Sequence, residues 1–104
     1  MNEVKLEGQA IEFNARVSKN GKDWGELILA VESQSQNGGI EHIPVKCFGK
    51  LCEVAKGLVE QNVFVKAHIQ IYNWSSPDGN TKSFINIVGE KIMPTDSQNL
   101  GFGE

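Results

Sequence analysis

Residues 63–74 have the sequence VFVKAHIQIYNW, and this stretch decides the fold. At the two-residue period of a β-strand, one face of it is entirely apolar and suits a core: Val63, Val65, Ala67, Ile69 and Ile71. The other face has rings, cations and amides: Phe64, Lys66, His68, Gln70, Tyr72 and Trp74. We therefore predict a strand with one side in a core and one side that presents aromatic and cationic groups.

Further strands are predicted on both sides of this stretch. Apolar alternation and turn signals place them at Val4 to Val17 with a break at Gly8, Trp24 to Glu32, Ile40 to Phe48, and Thr81 to Glu90. The Asn20-Gly21 pair is the strongest short hairpin signal and predicts antiparallel pairing of the first two strands. Pro44 has no N–H to donate, which predicts an edge or a local break in the third strand.

The apolar period changes to three and four residues between Gly49 and Gln61, which predicts a helix. Its apolar face is formed by Leu51, Val54, Ala55 and Leu58. Three strands, a helix and two strands match an all-β, five-stranded OB-fold barrel with one helix between strands 3 and 4. Element order alone also allows an SH3-like barrel or an open sheet with one helix on it.

Length and composition predict one small domain. A chain of 104 residues is long enough for a single core. We expect an OB-fold domain over residues 1–93 and a short, mostly disordered tail over residues 94–104. The sequence has no apolar run that would serve as a signal peptide or cross a bilayer, so we expect a cytoplasmic protein without membrane contact.

The balance of charge bears on the choice of ligand. A net charge of −3 argues mildly against nucleic acid, since affinity for phosphates comes largely from cations. Several lysines nevertheless lie in predicted hairpin loops or on polar strand faces: Lys19, Lys22, Lys46, Lys66 and Lys82. Exposed rings beside cations form a surface on which bases stack. The residues therefore predict single-stranded nucleic acid binding, with stacking as a large part of the affinity.

Signals for other chemistry are weak. Cys47 and Cys52 are the two cysteines, and we expect both to be buried, reduced thiols. With His42 and His68 they could supply four zinc ligands, but no CxxC or HxxxH spacing supports a metal site. The sequence has no nucleophile elbow, no phosphate-binding glycine loop and no HExxH motif, so we expect neither an enzyme nor a cofactor.

Several stretches resemble bacterial and phage single-stranded-DNA-binding (SSB) proteins. Residues 2–8, NEVKLEG, are similar to the first strand of that family, and residues 27–31, LILAV, to its second. Residues 43–55, IPVKCFGKLCEVA, resemble its third strand and the following helix. Together with Tyr72-Asn73-Trp74 before an Asp-Gly turn, the resemblance covers most of residues 2–93 and implies an OB-fold.

The resemblance also implies roles for particular residues. Phe48 and Trp74 occupy positions where the family has base-stacking rings, and His42 replaces a frequent tryptophan. The end of the second strand, near Ser35, has no ring, and Trp24 at the other end has an open role. Including neighbours on the same strand faces, the candidate nucleic-acid contacts are Phe48, Trp74, Tyr72, His42, Lys46, Lys66, Gln70, Lys82 and Trp24.

Assembly is also inferred from the resemblance. The family commonly forms tetramers from dimers joined through the first strand, so we expect a homo-oligomer, either a tetramer or a dimer. Lys5 and Glu7 are charged where apolar residues are usual in that strand. The acidic tail that recruits replication proteins is reduced to Asp96 and residues 100–104, which weakens the expectation of such partners.

These observations predict a non-catalytic protein that coats single-stranded DNA in replication, recombination or repair with little preference for sequence. The alternative is an OB-fold protein-interaction or primosome-type accessory with weak DNA binding, which the missing ring near Ser35 and the acidic net charge favour. An RNA chaperone of the cold-shock type ranks third, because the run of aromatic residues on its neighbouring strands is absent here.

Overall fold

Alternating apolar residues form five strands that close into a barrel in the order β1-β2-β3-β5-β4. The structure is a computed structural model and describes residues 1–95. Its elements are β1 (Val4–Val17), β2 (Asp23–Glu32), β3 (Ile40–Phe48), α1 (Leu51–Gly57), β4 (Asn62–Ser75) and β5 (Thr81–Pro94). The predicted five-stranded OB-fold barrel with one helix between the third and fourth strands is therefore confirmed.

The core lies inside the barrel and is built mainly from odd-numbered side chains of β2, β3 and β4. Its largest fully buried side chains are Leu27, Leu29, Val45, Val63, Val65 and Cys47. Helix α1 covers one part of this core with Cys52 and Ala55. The predicted helical face was wrong at Val54, which is exposed, because α1 has only seven residues and packs through Cys52 instead.

Strand β1 pairs with two neighbouring strands and bends between the two pairings. Its first half pairs with β4, its second half pairs with β2, and the register shifts between Ala10 and Glu12. The break is therefore at Ile11. The sequence predicted it at Gly8, and that position was wrong. Gly8 has a different role, since a Cβ there would lie 2.3 Å from the backbone oxygen of Ala30.

The turns that set the strand pairing are those predicted. Gly21, in the Asn20-Gly21 turn, has a φ of +79°, and its N–H donates to Ser18 O at 2.9 Å. Pro44 lies within an uninterrupted β3, opposite Ile28 of β2. On its other side β3 pairs with β5 only at Val45 and Lys46, so the proline is next to an edge that has no strand partner there.

The β4–β5 hairpin extends well beyond the barrel. Pairing of β4 with β1 ends at Ala67, and pairing of β5 with β3 begins at Ile87. Residues 68–86 therefore form a two-stranded arm. The prediction that Ile69 and Ile71 lie in the core was wrong: they are 38% and 55% exposed. Their apolar alternation continues although no further strand covers them.

The end of the last strand, β5, also differs from the prediction. Strand β5 continues four residues beyond Glu90, because Ile92 is buried in the core and Pro94 pairs with Val63. The predicted disordered tail lies outside the described residues from Asp96 onward.

Candidate nucleic-acid interface

The register of the strands places the predicted contact residues on one surface, the outer face. It consists of the even-numbered side chains of β2, β3 and β4 and of residues 82–88 of β5. Trp24 lies opposite Phe48, Lys46 is beside Val88, and Val88 is opposite His68. The candidates on this face are Trp24, His42, Lys46, Phe48, Lys66, Gln70, Tyr72, Trp74 and Lys82.

A first cluster of rings forms where β2 meets β3. The centroids of Trp24 and Phe48 are 6.1 Å apart, and their planes are inclined by 21°, which is a stacked arrangement. Lys46 Nζ lies 5.3 Å from the indole centroid, and Arg16 Cζ lies 5.8 Å from it. Phe48 is 53% exposed and Trp24 is half-buried. The cluster thus combines an accessible ring surface with two cations.

A second cluster lies on the arm. Tyr72 is directly opposite Phe84, with ring centroids 6.4 Å apart, and Trp74 is opposite Lys82. Tyr72 is 55% exposed, Phe84 is 48% exposed and Trp74 is 42% exposed. No part of the barrel covers these rings, so a flat ligand can reach them.

Lys66 and His68 belong to a network of polar and charged side chains between the arm and the N-terminus. Lys66 Nζ lies 3.7 Å from Glu3 and 3.9 Å from Glu90. His68 Nδ1 lies 2.6 Å from the same Glu90, and its Nε2 is 3.1 Å from the amide nitrogen of Gln70. Lys66 is therefore less available to a phosphate than Lys82, which forms no ion pair within residues 1–95.

Carboxylates also approach the first ring cluster. Glu26 lies opposite Lys46 on the outer face, and its Oε1 is 3.9 Å from Arg16 Nη2. A negative charge at this position opposes the approach of a phosphate. The outer face is therefore aromatic and mixed in charge, and its rings are its most distinctive feature.

His42 lies near the start of β3, four residues before Lys46. It is exposed on β3, opposite Ala30. The neighbouring loop, which the sequence identified as lacking a ring, is held by the Ser33 hydroxyl, which bonds Ser35 Oγ at 2.8 Å and Glu41 Oε2 at 3.0 Å. Trp24 does not replace the missing ring, since it lies at the opposite end of β2 beside Phe48.

The turn at the tip of the arm is well defined by hydrogen bonds. The N–H of Gly79 donates to Ser76 O at 3.0 Å, and Gly79 has a φ of +92°. The Ser76 hydroxyl and the N–H of Asn80 donate to Asp78, and these bonds hold the pKa of that carboxyl below its usual range. The turn therefore presents an ionised carboxylate near Trp74.

Both thiols are buried, as predicted. Burial, and then the neighbouring Cys52, raises the pKa of Cys47 to about 12. Burial also raises the pKa of Cys52, and the negative charge of Asp23 raises it further. Cys52 Sγ donates to Cys47 O at 3.5 Å. Within residues 1–95 no three histidine, cysteine or acidic side chains are grouped as metal ligands would be.

The sequence reasoning missed Phe84 and Arg16, although the turn after β4 carried a signal for Phe84. Counting outward from the turn at Ser76 to Asn80 pairs residue 72 with residue 84, and the structure has this pairing. Counting outward from a two-residue Asn20-Gly21 turn would pair residue 16 with residue 25, but the structure has a three-residue loop, in which the N–H of Ser18 donates to Lys22 O, and it pairs residue 16 with residue 24. The sequence reasoning therefore did not use the strand register that a turn implies, and this register identifies Phe84 as the partner of Tyr72.

A comparison with protein families identifies the family of the chain. The family model described as the single-strand binding protein family matches residues 1–95. The chain belongs to this family. The match confirms the resemblance to SSB proteins, a non-catalytic DNA-binding family, and it supports single-stranded DNA binding in general. A comparison with curated proteins gave no match. In the part of this SSB-family chain that the structure describes, no helix is long and apolar enough to span a membrane.

Proposed function

We propose that this protein coats single-stranded DNA with little preference for sequence, during replication, recombination or repair in the cytoplasm, and that it has no catalytic role. The observation that carries this proposal is the set of exposed rings on one face of the barrel and arm: Phe48, Tyr72, Trp74 and Phe84. Every base has a flat surface that can stack, so rings of this kind bind strands of any sequence.

The cations supply the second part of the proposed mechanism. Lys46, Lys82 and Arg16 lie beside the rings and reach phosphates that flank a stacked base. His42, Gln70 and Lys66 occupy the same face and are proposed as weaker contacts, Lys66 because of its ion pairs with Glu3 and Glu90.

Titration with poly(dT) at low salt tests the proposal, with intrinsic tryptophan fluorescence as the signal. Stacking of bases on Trp74 is expected to quench the emission. The variant Trp74→Ala is expected to bind more weakly, whereas Val54→Ala, which shortens an exposed side chain on α1, should bind as the wild type does. Absence of quenching in the wild type at low salt would refute the proposal.

A homo-oligomer, a dimer or a tetramer, is part of the proposal. It is supported by the inner side of the arm, where Ile69, Ile71 and Ile85 are exposed. These side chains have neither a ring nor a charge, so they suit contact with protein rather than with nucleic acid. Mass measured in solution tests this: Ile71→Lys should shift the protein towards the monomer, while Val54→Lys should not.

The second candidate function is an OB-fold protein-interaction or primosome-type accessory that binds DNA weakly. Glu26 and Glu90 on the outer face favour it, because they reduce the positive potential around the rings. In that case Trp74→Ala should leave the weak DNA binding unchanged and impair assembly with a replication protein. A large loss of DNA affinity in the same variant would favour the coating function.

A further inference from the structure

The two ring clusters are well separated on the outer face. Phe48 lies two residues beyond Lys46 on β3, and Phe84 lies four residues before Val88 on β5. Lys46 and Val88 are neighbours where these strands run parallel, so the clusters lie on opposite sides of that contact. At roughly 3.3 Å per residue, six residues of strand separate them by about 20 Å. One base cannot touch both.

We propose that one DNA strand is held at two separate stations, and that Trp24, Phe48 and Arg16 form the second of them. We call these residues the Trp24 station, and Tyr72, Trp74 and Phe84 the arm station. This inference rests on the proposed function and deepens it, because it states how the strand is engaged and how long the strand must be.

The geometry of the Trp24 station is that of a preformed stacking site. Arg16, Trp24 and Phe48 lie side by side across three neighbouring strands. The two rings already stack on each other in the free protein. Their side-chain entropy is therefore lost when the protein folds and not when it binds DNA. Arg16 and Lys46 both lie within 6 Å of the indole centroid. A base on this surface would have a cation near its own phosphate.

The half-buried indole remains accessible from one side. A cleft of about 240 Å³ runs beside Trp24, between the end of β1 and helix α1. Arg16 and Lys56 contribute cations to its walls, and Asp23 contributes one carboxylate. The Trp24 station therefore has an open approach for a base or a phosphate.

The row of side chains between the stations contains no phenyl, phenol or indole ring. Across the five strands it consists of Asn14, Glu26, Lys46, Val88 and His68. Nucleotides that cross this row can be held by Lys46, and the ring they meet there is the imidazole of His68, which is bonded to Glu90 and Gln70. The stacking contacts with DNA are therefore concentrated at the Trp24 station and at the arm station.

Two stations joined by one strand make affinity depend on strand length. At about 3.4 Å per stacked nucleotide, a gap of about 20 Å takes about six nucleotides, and fewer where the strand is unstacked and extended. A shorter strand reaches one station only. A longer strand binds at both, and the second contact becomes intramolecular, which raises affinity by about a hundredfold or more.

Binding of fluorescein-labelled oligothymidylates, followed by anisotropy, tests this inference with the full-length protein. The oligomers are about 4 and about 12 nucleotides long, both within the range of site sizes for one OB-fold. The readout is the ratio of the two affinities, which we expect to be at least about a hundredfold for the wild type.

Variants at each station provide the decisive comparison. Arg16→Gln and Trp24→Leu alter the Trp24 station, Phe84→Ala alters the arm station, and Lys5→Gln is the control for loss of one exposed cation. We expect each station variant to reduce the ratio at least about tenfold and the control to preserve it. Arg16→Gln keeps the test decisive if Trp24→Leu fails to fold.

Three outcomes are distinguishable. A wild-type ratio near one overturns the two-station inference. So does a ratio that Arg16→Gln leaves unchanged while Phe84→Ala reduces it, because the Trp24 station would then take no part. Failure of the wild type to bind either oligomer at low salt refutes the proposed function itself.

Discussion

Glu26 Oε1 lies 3.9 Å from Arg16 Nη2, so a carboxylate is paired with one of the two cations beside Trp24. Glu26 is also opposite Lys46, the other cation. The carboxylate is ion-paired with Arg16 in the free protein, and it repels a phosphate that approaches either cation. DNA binding at this end of the outer face therefore competes with an existing ion pair.

Replacement of Glu26 by Gln should strengthen DNA binding. Removal of the carboxylate releases Arg16 from its ion pair and takes away a negative charge opposite Lys46, and we expect a gain of about two- to tenfold in affinity at low salt that fades as salt increases. Anisotropy titrations at several salt concentrations measure it. Glu53→Gln on α1 is the matched control, because Glu53 also forms an ion pair at 3.9 Å, with Lys56. An equal gain in both variants would indicate an effect of net charge alone.

Removal of the Phe84 ring should weaken binding of single-stranded DNA by about 1 to 3 kcal/mol, the range for one stacked base. Phe84→Ala is informative because this ring packs beside Tyr72 and is 48% exposed. Its removal should therefore change folding stability little. Affinity for poly(dT) measures the effect, with Val54→Ala as the control for an exposed apolar side chain. Unchanged affinity would remove Phe84 from the interface.

The salt dependence of binding should be modest. If Arg16, Lys46 and Lys82 neutralise about three phosphates per protomer, the slope of log K against log salt is about −2 for a single strand. Titrations from low to moderate salt give this slope. Lys82→Gln should make it shallower by about 0.7, since Lys82 forms no ion pair within residues 1–95. A much steeper slope would mean that charge and not stacking dominates affinity.

Replacement of Gly8 by Ala should destabilise the barrel by about 1 to 3 kcal/mol, as overpacking of a tight contact does. The new Cβ would lie 2.3 Å from Ala30 O, so β1 and β2 would have to move apart. Denaturant unfolding measures the change. Gly57→Ala at the end of α1 is the control, because its Cβ would contact nothing within 4 Å. Equal stability of both variants would contradict the close approach of β1 to β2.

Stability should decline as pH rises above 9. The pKa of Cys47 rises from 9.0 to about 12 on folding, so between these values the unfolded chain ionises and the folded protein does not. The stabilising effect of the neutral thiol is complete below pH 9 and is lost as pH rises through the folded pKa. The slope is about 1.4 kcal/mol per pH unit. Denaturant unfolding at several pH values should give a shallower decline for Cys47→Val, and equal slopes would contradict this prediction.

Much of the fold could be predicted because its signals are local. The Asn20-Gly21 turn, the turn at residues 76–80 and the alternation within 63–74 define two hairpins without knowledge of the rest of the chain. The turn at residues 76–80 implies that residue 72 pairs with 84, so the position of Phe84 was also available. The pairing of residue 16 with 24 depends on a three-residue loop at 19–21, which the Asn-Gly signal does not specify. Which side of each strand carries the candidate contacts follows from the two-residue period alone.

The residues alone determined the order of the elements along the chain, the positions of the hairpin turns and the presence of rings and cations on one set of strand faces, because these depend on short-range backbone preferences. Only the tertiary structure decided where apolar alternation leaves the core. Ile69 and Ile71 continue the pattern of Val65 and Ala67, but β1 ends beside Ala67, and burial requires a neighbour that local sequence does not encode. The parallel contact of Lys46 with Val88 likewise joins distant segments, and it sets the distance between the two ring clusters.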